Sequence, residues 1–238
     1  MKNDEILQGR KIADKAELVW GWGTPSGQRR ADRRGKYFIA MGRIGPGQKV
    51  LEIGCGTGVF TEKVAATGAE ITALDISPEL LDKARARINS DRVHFCLGNA
   101  EQMDFGAETF DVVIGSSVLH HLRLPLILPE LMRVLKKGGR LVFAEPNMLN
   151  PQIFLERKIK FIGRLLANTP EESAFVRWSL LRDLRQQGFR NISVKPYDFL
   201  HPWTPAAAIE VVLKLGSILE NIPGIREIAG SLIIYAEK

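Results

Sequence analysis

The sequence Lys49-Val-Leu-Glu-Ile-Gly-Cys-Gly-Thr-Gly58 joins a short apolar run to three alternating glycines. The apolar run is typical of a buried strand in a parallel sheet, and the segment that follows, Val59–Ala66, has the pattern of a helix. Glycines in a strand-to-helix turn allow positive φ angles and let the backbone approach a ligand closely. Because the first N–H groups of a helix have no partner within it, they point toward whatever binds at the turn.

The spacing of these glycines distinguishes two kinds of nucleotide site. In the nicotinamide and flavin fingerprint, the third glycine comes three residues after the second. That position is Val59 here, and the third glycine comes one residue earlier, at Gly58. An acidic residue, Glu52, lies just before the turn, and Asp75 ends the next apolar run. The spacing therefore disfavours an NAD-dependent dehydrogenase.

The segment Leu51–Gly58, together with Asp75, resembles the first motif of the class I S-adenosylmethionine-dependent methyltransferases. The resemblance implies methyl transfer as the activity, S-adenosylmethionine as the cofactor and S-adenosylhomocysteine as a product. It covers Lys49 to Glu145 in motif detail and the rest of the chain only in the order of strands and helices. The fold could also serve as a non-enzymatic binding or scaffold module, but the intact glycine turn and Asp75 argue against that alternative.

Composition limits the class of protein. The chain has 238 residues, of which 45% are hydrophobic and 25% charged, as in a soluble globular domain. No apolar run reaches membrane-spanning length and the N-terminus lacks a signal-peptide core, so we expect a cytoplasmic protein. The two cysteines, Cys55 and Cys96, cannot form a zinc site alone, and we expect no metal. The net charge of +6 is spread along the chain and only hints at an acidic partner.

Strands and helices alternate after Lys49, which predicts an α/β fold with a doubly wound, mostly parallel sheet. The first five strands are predicted at Lys49–Ile53, Glu70–Asp75, Val93–Leu97, Asp111–Gly115 and Gly139–Glu145. The helices between them are predicted at Val59–Ala66, Pro78–Ile88 and Pro125–Leu135.

Residues 1–44 are predicted to form an N-terminal helical cap over a methyltransferase domain at 45–238. We expect helices over Glu5–Val19 and Ser26–Met41, the second of which is rich in arginine. In families that resemble this chain, such helices cover the cofactor and close over substrate. The candidate lid and substrate residues of the cap are Trp20, Trp22, Arg34 and Tyr37. A solvated basic face is the simpler interpretation of the arginines and is favoured over a substrate-anion site.

Helical additions are predicted after the fifth and sixth strands, at about 147–167 and 201–220. The predicted elements are helices at Ile153–Leu166, Thr169–Gln187 and Pro205–Leu219, and strands at Asn191–Phe199 and Ser231–Glu237. The Thr169-Pro-Glu-Glu172 start combines a cap, a proline and an acid. One member of the last strand pair is expected to be antiparallel, as is usual in the family.

The resemblance also implies which residues bind the cofactor. They are Glu52, Gly54, Cys55, Gly56, Thr57, Gly58, Asp75, Ile76, Asn99, Ala100, Glu101 and Ser116. Asp75 suits the two ribose hydroxyls because a carboxylate accepts two donors at once, although an ordinary strand-end acid is the alternative. Asn99 stands where the family commonly has aspartate, and its amide keeps a carbonyl acceptor for the adenine amine.

Candidate catalytic residues follow the fourth and fifth strands. His120 and His121 lie just after the fourth strand, and Glu145 ends the fifth. Histidine is the side chain best suited to accept a proton near neutral pH. Adjacent side chains point in different directions, so at most one of the two is expected to reach substrate, and a structural role for both is an equal alternative. His201 is a further candidate on the substrate side.

The additions to the sheet carry apolar aromatic residues, which favours an enclosed acceptor. These are Phe154, Phe161, Trp178, Phe199 and Trp203. We therefore predict transfer to a small-molecule or lipid-like acceptor. The alternative is an RNA or protein methyltransferase that uses the basic Arg29–Lys36 helix as its contact. Nucleic acid is the less favoured partner because no RNA-binding module is appended, and a homodimer is compatible with the sequence.

Overall fold

The computed structural model describes residues 2–158 and 175–238 of the chain. These residues contain a seven-stranded sheet of order β3-β2-β1-β4-β5-β7-β6. Its strands are β1 (Lys49–Ile53), β2 (Glu70–Asp75), β3 (Val93–Leu97), β4 (Phe110–Ser116), β5 (Leu135–Pro146), β6 (Arg190–Tyr197) and β7 (Ser231–Glu237). Strands β1 to β5 are parallel, and β7 runs antiparallel between β5 and β6. The predicted doubly wound, mostly parallel sheet is confirmed.

Helices flank this sheet on both faces. They are α1 (Lys2–Ile12), α2 (Ala16–Val19), α3 (Pro25–Gly42), α4 (Val59–Ala65), α5 (Pro78–Arg87), α6 (Leu124–Val134), α7 (Pro151–Lys158), α8 (Arg177–Gln186) and α9 (Ile209–Leu219). Polar caps fix two of the starts, since the hydroxyls of Thr24 and Ser77 accept from the N–H groups of Gly27 and Leu80. No helix in the described part of the chain is long and apolar enough to cross a membrane.

The predicted N-terminal helix is interrupted. A 3-10 turn at Ala13–Lys15 separates α1 from α2, whereas the sequence predicted one helix over Glu5–Val19. The α3 helix is anchored in the core, because Phe38 is fully buried against the sheet face that also carries Val50 and Ile71. The two parts of the predicted cap therefore differ, since α3 packs as core and α1 does not contribute to either large core cluster.

Two other boundaries differ from the prediction. The α6 helix passes into β5 without a loop, because Leu135 already pairs with Phe110 of β4. The predicted helix Thr169–Gln187 was wrong in its extent, because Phe175 forms a bridge with Asn147 and helix α8 begins at Arg177. The predicted start at Thr169 and most of the predicted Ile153–Leu166 helix lie outside the described residues.

The end of the chain follows the expected order with small shifts. The sixth strand ends at Tyr197, and the predicted Pro205–Leu219 helix begins as a 3-10 turn at Ala206–Ala208 before α9. Strands β1 and β4 lie side by side in the middle of the sheet, and the chain adds strands outward in opposite directions from this pair. In open α/β sheets, such a reversal leaves a crevice at the carboxyl ends of the strands, where ligands bind.

Candidate active site

A cavity of about 400 Å³ lies at the carboxyl ends of the central strands. Most of the residues predicted for the site line it: Trp20, Trp22, Gly54, Cys55, Gly56, Thr57, Asp75, Ile76, Asn99, Ala100, Glu101, Ser116, His120 and His121. The remaining predicted residues, Glu52, Gly58, Arg34, Tyr37, Glu145 and His201, are outside this lining. The cavity is thus framed by the loops after β1, β2, β3 and β4.

The glycine turn has a backbone that only glycine adopts without strain. Gly54 and Gly56 have φ angles of +66° and +54°. A Cβ atom on Gly54 would lie 2.5 Å from Val118 Cγ2, and one on Gly56 would lie 3.1 Å from the Trp20 ring. The turn therefore presents bare backbone to the cavity, with the Trp20 ring packed closely against it.

Asp75 joins the glycine turn to the next loop. Its Oδ2 accepts from the Gly56 N–H at 2.7 Å, and its Oδ1 accepts from the Ser77 N–H at 2.9 Å. Burial raises the pKa of Asp75, and the backbone N–H groups act in the opposite direction. Each carboxylate oxygen can accept more than one hydrogen bond, so the side chain can fix the turn and still bind a ligand hydroxyl.

Glu52 lies behind the cavity wall, where it is 1% exposed. Its Oε2 has no hydrogen-bond partner among the described residues. Burial, together with the nearby charge of Asp75, raises the pKa of Glu52 to about 8. The expectation that Glu52 contacts the cofactor stays a prediction. Because Glu52 is buried and does not line the cavity, we expect it to affect the stability of the folded protein.

Glu52 should make the stability of the protein depend on pH. The folded state holds its proton up to about pH 8, whereas the unfolded chain releases it near the ordinary value of 4.5. Unfolding between these values releases a proton, so the free energy of unfolding should fall as the pH rises through this window. The Glu52→Gln variant should lack the contribution of Glu52 to this pH-dependent decrease in the free energy of unfolding.

Urea midpoints at pH 5 and pH 8 measure this effect. As the pH rises from 5 to 8, the urea midpoint of the wild type should decrease more than that of the Glu52→Gln variant. Glu70→Gln, at an exposed position of β2, is the matched control and should follow the wild type. Equal pH dependence in all three proteins would show that Glu52 ionises normally.

The loop after β3 uses its polar atoms within the protein. Asn99 Oδ1 accepts from the Glu101 N–H at 3.2 Å. The Glu101 carboxylate accepts from the Arg123 guanidinium at 2.6 Å and from the Arg123 N–H at 2.8 Å. The Asn99 oxygen that was expected to accept from adenine thus also supports its own loop. Its role toward a ligand stays a prediction.

Glu145 and His120 form a buried pair. His120 Nδ1 lies 2.7 Å from Glu145 Oε2, and Glu145 Oε1 accepts from the N–H groups of Val118 and Leu119 at 2.9 Å each. Burial alone would raise the pKa of Glu145, but His120 and these N–H groups outweigh it and hold the pKa below its usual range. A carboxylate can only accept, so His120 carries a proton on Nδ1, and in the neutral form of the ring the lone pair is on Nε2.

His121 lies beside His120 and both line the cavity, so the expectation that the two adjacent side chains point in different directions is not confirmed. Its Nδ1 lies 3.0 Å from Glu5 Oε1 of α1, so this histidine joins the N-terminal helix to the loop after β4. The two imidazole rings lie 4.1 Å apart between centroids. Sequence reasoning missed Glu5, because the contact spans 116 positions and α1 carries no motif.

Three predicted substrate residues lie away from the cavity lining. Arg34 is 2% exposed and donates to the hydroxyls of Ser116 and Ser117, which do line the cavity. Tyr37 packs edge-on against Tyr197, with ring centroids 5.1 Å apart. His201 Nε2 contacts the amide nitrogen of Gln152 at 2.7 Å. Of these three, Arg34 is the one for which contacts with side chains of the cavity are established, namely those of Ser116 and Ser117.

Several lining residues were not predicted. They are Glu5, Gln8, Gly9, Ile12, Val19, Ile53, Val59, Phe60, Leu74, Ser77, Leu80, Gly98, Ser117, Val118, Leu122 and Pro146. Ser117 was within reach of the sequence because it follows Ser116 in the same loop. Its φ of +54° is unusual for a residue with a side chain and marks a constrained point of the wall.

Comparisons with known proteins show that the chain is similar to methyltransferases. A family model described as a methyltransferase domain matches residues 51–143. The malonyl-[acyl-carrier protein] O-methyltransferase of Serratia marcescens is 37% identical over 111 residues, covering 46% of this chain and 43% of that protein. The demethylmenaquinone methyltransferase of Tropheryma whipplei (strain Twist) is 32% identical over 170 residues, covering 64% of this chain and 71% of that protein.

A solved structure extends the likeness in fold to nearly the whole chain. One chain of the complex between the Haloferax volcanii Trm112 methyltransferase activator and a methyltransferase has a TM-score of 0.72. It is 18% identical, with 96% of each chain covered, and at this identity the likeness concerns the fold alone. The chain spans about half the length, or less, of the first curated relatives it matches, between 28% and 52%.

Proposed function

Because this chain belongs to the class I S-adenosylmethionine-dependent methyltransferases, we propose that it transfers a methyl group to a small-molecule or lipid-intermediate acceptor. The observation that carries the proposal is the buried Glu145–His120 pair at the wall of a cavity built on the glycine turn. This arrangement combines a site for the cofactor with a group that can take a proton from the acceptor.

The residues around the turn fit the cofactor. The left-handed glycines leave room for a ligand against bare backbone, and the Asp75 carboxylate retains acceptor capacity for ribose hydroxyls. Ile76 gives the same wall an apolar surface suited to a purine face. When bound, S-adenosylmethionine supplies an electrophilic methyl group.

His120 would act as the general base. Its Nε2 would accept the proton of an acceptor hydroxyl or amine as the acceptor atom bonds to the methyl group. Glu145 is a positioning residue, because it holds the Nδ1–H tautomer and favours the imidazolium that forms. The backbone bonds from Val118 and Leu119 to Glu145 in turn fix the orientation of the pair. General-base assistance of this kind contributes about 10² to 10⁴ in rate.

An enclosed acceptor suits the walls of the cavity. Trp20 and Trp22 contribute large apolar surfaces to the lining, and Gly9 and Ile12 of α1 also line the cavity. Two curated relatives are named for the methylation of malonyl-[acyl-carrier protein] and of demethylmenaquinone. Those names support a small or carrier-bound acceptor for this chain as well.

The alternative of RNA or an acidic protein surface finds less support in the arginine-rich helix. Three arginines of α3 each pair with a carboxylate of the C-terminal region, at 2.6 to 2.8 Å: Arg29 with Glu210, Arg30 with Asp198 and Arg33 with Glu220. Arg34 is buried. A phosphate backbone would have to displace these carboxylates, whereas a dedicated RNA-binding face presents its cations to solvent.

The α1 helix should act as a cover over the cavity. Deleting residues 2–15 removes Glu5, Gly9 and Ile12 from the lining but leaves both large core clusters intact. The truncated protein should keep a cooperative melting transition, while kcat/KM falls about tenfold or more because the site opens to water. Steady-state kinetics and thermal melting test this together.

Lys11→Ala is the matched control, because Lys11 is an exposed residue of the same helix. It should leave both the kinetics and the melting transition unchanged. A truncated protein that is folded and fully active would contradict the role of α1 as a cover and would leave it only a packing role at the surface. Truncation before Gly42 is a weaker test, because it also removes the buried Phe38 and would unfold the core.

Cofactor labelled in its methyl group tests the proposed function. The full chain would be incubated with separated small-molecule, lipid, RNA and protein fractions from its source cells. Label in the small-molecule or lipid fraction is the expected result, with His120→Ala as the control that should show little transfer. Label in RNA or protein alone would contradict the proposal and direct attention back to α3.

A further inference from the structure

We propose that Glu17 is a positioning residue that, together with Arg87, fastens the N-terminal helices to the glycine turn and so couples the closure of these helices to cofactor binding. The elements concerned are α1, the 3-10 turn at Ala13–Lys15 and α2, which we call the cover. The inference rests on the proposed function, because it requires a cofactor at the glycine turn. It adds a specific contact through which the cover and that turn act on each other.

The Glu17 carboxylate joins α2 to two other elements. Its Oε1 accepts from Arg87 Nη2 of α5 at 2.6 Å and from the Thr57 hydroxyl of the glycine turn at 3.0 Å. Arg87 Nη1 donates in turn to the Thr57 carbonyl at 3.0 Å. The three residues thus close a ring of hydrogen bonds, which we call the latch. Because hydrogen bonds to charged groups are stronger than neutral ones, the latch holds α2 firmly to the turn.

The cover also places an aromatic side chain on this turn. Trp20 directly follows α2, and a Cβ atom on Gly56 would lie 3.1 Å from its ring. The ring therefore lies against the backbone next to Thr57. Val19, Trp20 and Thr57 all line the cavity. Release of Glu17 would loosen both the turn and the wall that Trp20 provides.

The way the cover packs allows it to open while the core stays folded. Its buried apolar residues, Ile12 and Ala16, form a small cluster with Leu80 of α5, separate from the two large core clusters. The chain then turns at Gly21, whose φ is +78°, before α3 packs into the core. Elements with few buried apolar contacts open at a lower free-energy cost than the whole fold. Polar contacts between the cover and the rest of the protein therefore influence how often the cavity opens.

Ion pairs between the cover and α5 follow one face of that helix. They join Arg10 to Glu79 at 3.8 Å, Asp14 to Lys83 at 2.7 Å and Glu17 to Arg87 at 2.6 Å. Exposed pairs contribute little to stability, and the Asp14 side chain is 94% exposed. The side chains of Glu17 and Arg87 are only 33% and 26% exposed, and their pair also contacts the glycine turn. This pair is therefore the one suited to couple the cover to the cofactor.

Opening the latch would leave its charges with other partners. Arg87 Nε lies 3.9 Å from Glu62 Oε2 of α4, and Arg87 could keep its bond to the Thr57 carbonyl. Glu17 would move into water with the cover. A buried charge that loses its partner costs several kcal/mol, but these partly exposed groups avoid that cost. The latch is thus suited to repeated opening, which the exchange of cofactor for product requires.

Coupling follows because the latch and the cofactor share one turn. A ligand that holds the backbone of the turn in this shape also holds Thr57 in position to meet Glu17. By thermodynamic linkage, closure of the cover raises cofactor affinity by the same factor by which bound cofactor favours closure. If the closed form binds the cofactor more tightly, Kd rises as the population of that form falls. Loss of Glu17 should therefore weaken cofactor binding, although its side chain does not line the cavity.

Calorimetry and amide hydrogen exchange on the full chain test the latch, with S-adenosylhomocysteine as the probe. Glu17→Ala should raise Kd about fivefold or more, the lower range of coupling between sites. Amide exchange of residues 16–22 in the saturated complex should become faster. Asp14→Ala is the matched control, because it removes a cover carboxylate that pairs with α5. Its Kd should stay within about twofold of the wild type.

A charge reversal separates the latch from a general loss of packing. Arg87→Glu places two carboxylates together and should weaken binding further, whereas Glu17→Arg/Arg87→Glu restores an ion pair and should bind more tightly than Arg87→Glu alone. Thermal melting checks that each variant is folded. If Glu17→Ala does not fold, the comparison of Arg87→Glu with the double variant still tests the latch.

Two results would overturn the latch. One is a folded Glu17→Ala protein with the Kd and amide exchange of Asp14→Ala, and the other is a double variant that binds no more tightly than Arg87→Glu. Either result leaves the proposed function intact, because the wild type would still bind S-adenosylhomocysteine. A wild-type protein that does not bind S-adenosylhomocysteine would instead refute the proposed function, and the latch with it.

Discussion

His120→Ala should lower kcat by about a hundredfold to ten-thousandfold, because it removes the proposed base while the glycine turn and Asp75 remain in place. Affinity for S-adenosylhomocysteine should change little. Steady-state kinetics with an identified acceptor, combined with calorimetry, separate the two effects. The predicted pattern is a loss confined to kcat, as expected for a group that acts on the acceptor proton.

His121→Ala is the matched control for this prediction. The side chain lies beside His120 but contacts Glu5 of α1, so its loss should affect turnover much less. Glu145→Gln should flatten the pH–rate profile and lower kcat, because an amide can donate to Nδ1 and move the imidazole proton to Nε2. Glu145→Asp should restore part of the activity. Full activity in both histidine variants would remove histidine from the mechanism.

Asp75→Ala should weaken the binding of S-adenosylhomocysteine by roughly 2–3 kcal/mol, the scale of lost charge-assisted hydrogen bonds. The substitution removes the acceptor for ribose hydroxyls and the bonds that hold the N–H groups of Gly56 and Ser77. The glycine turn should therefore loosen as the ligand contact is lost. Calorimetry measures the change as about a 30- to 150-fold increase in Kd.

Asp82→Ala provides the comparison, because Asp82 is an exposed carboxylate of the following helix that pairs with Arg85. Its loss should leave Kd unchanged. The Kd of the Asp75→Asn variant for S-adenosylhomocysteine should lie between those of Asp75→Ala and Asp82→Ala, because the asparagine amide keeps one acceptor oxygen. An Asp75→Ala variant with wild-type affinity would mean that the ribose binds elsewhere.

Local sequence signals predicted the elements that build the site. The β1 strand, the glycine turn and β2 follow from apolar runs and glycines that are close in sequence, and these boundaries match the structure. The carboxyl-end rule for parallel sheets then predicts that Asp75, Ser116 and His120 meet at one edge. All three line the cavity.

Contacts between distant parts of the chain could not be predicted in the same way. Glu145 and His120 were both candidates, but their pairing depends on the register that sets Ala144 beside Ser116. The bonds from Arg34 to Ser116 and Ser117 span more than 80 positions. No local pattern encodes such a contact, because it is set by how α3 packs against the sheet.

Boundaries failed where tertiary contacts overrode local preference. A single helix was predicted from the capping motif at Thr169 to Gln187, yet Phe175 forms a bridge with Asn147 and α8 begins at Arg177. The break between α1 and α2 likewise lacks a proline or glycine at Ala13–Lys15. Propensity is a weak guide wherever packing supplies the larger energy.

A crystal structure of the protein with S-adenosylhomocysteine tests the central claim most directly. The claim is that the turn Gly54–Gly58, Asp75 and the His120 wall form one site for cofactor and acceptor. We predict density for the ribose at the Asp75 carboxylate and for the sulfur on the side of the cavity that carries His120. Density with the ribose away from Asp75, or a ligand outside this cavity, would contradict the account.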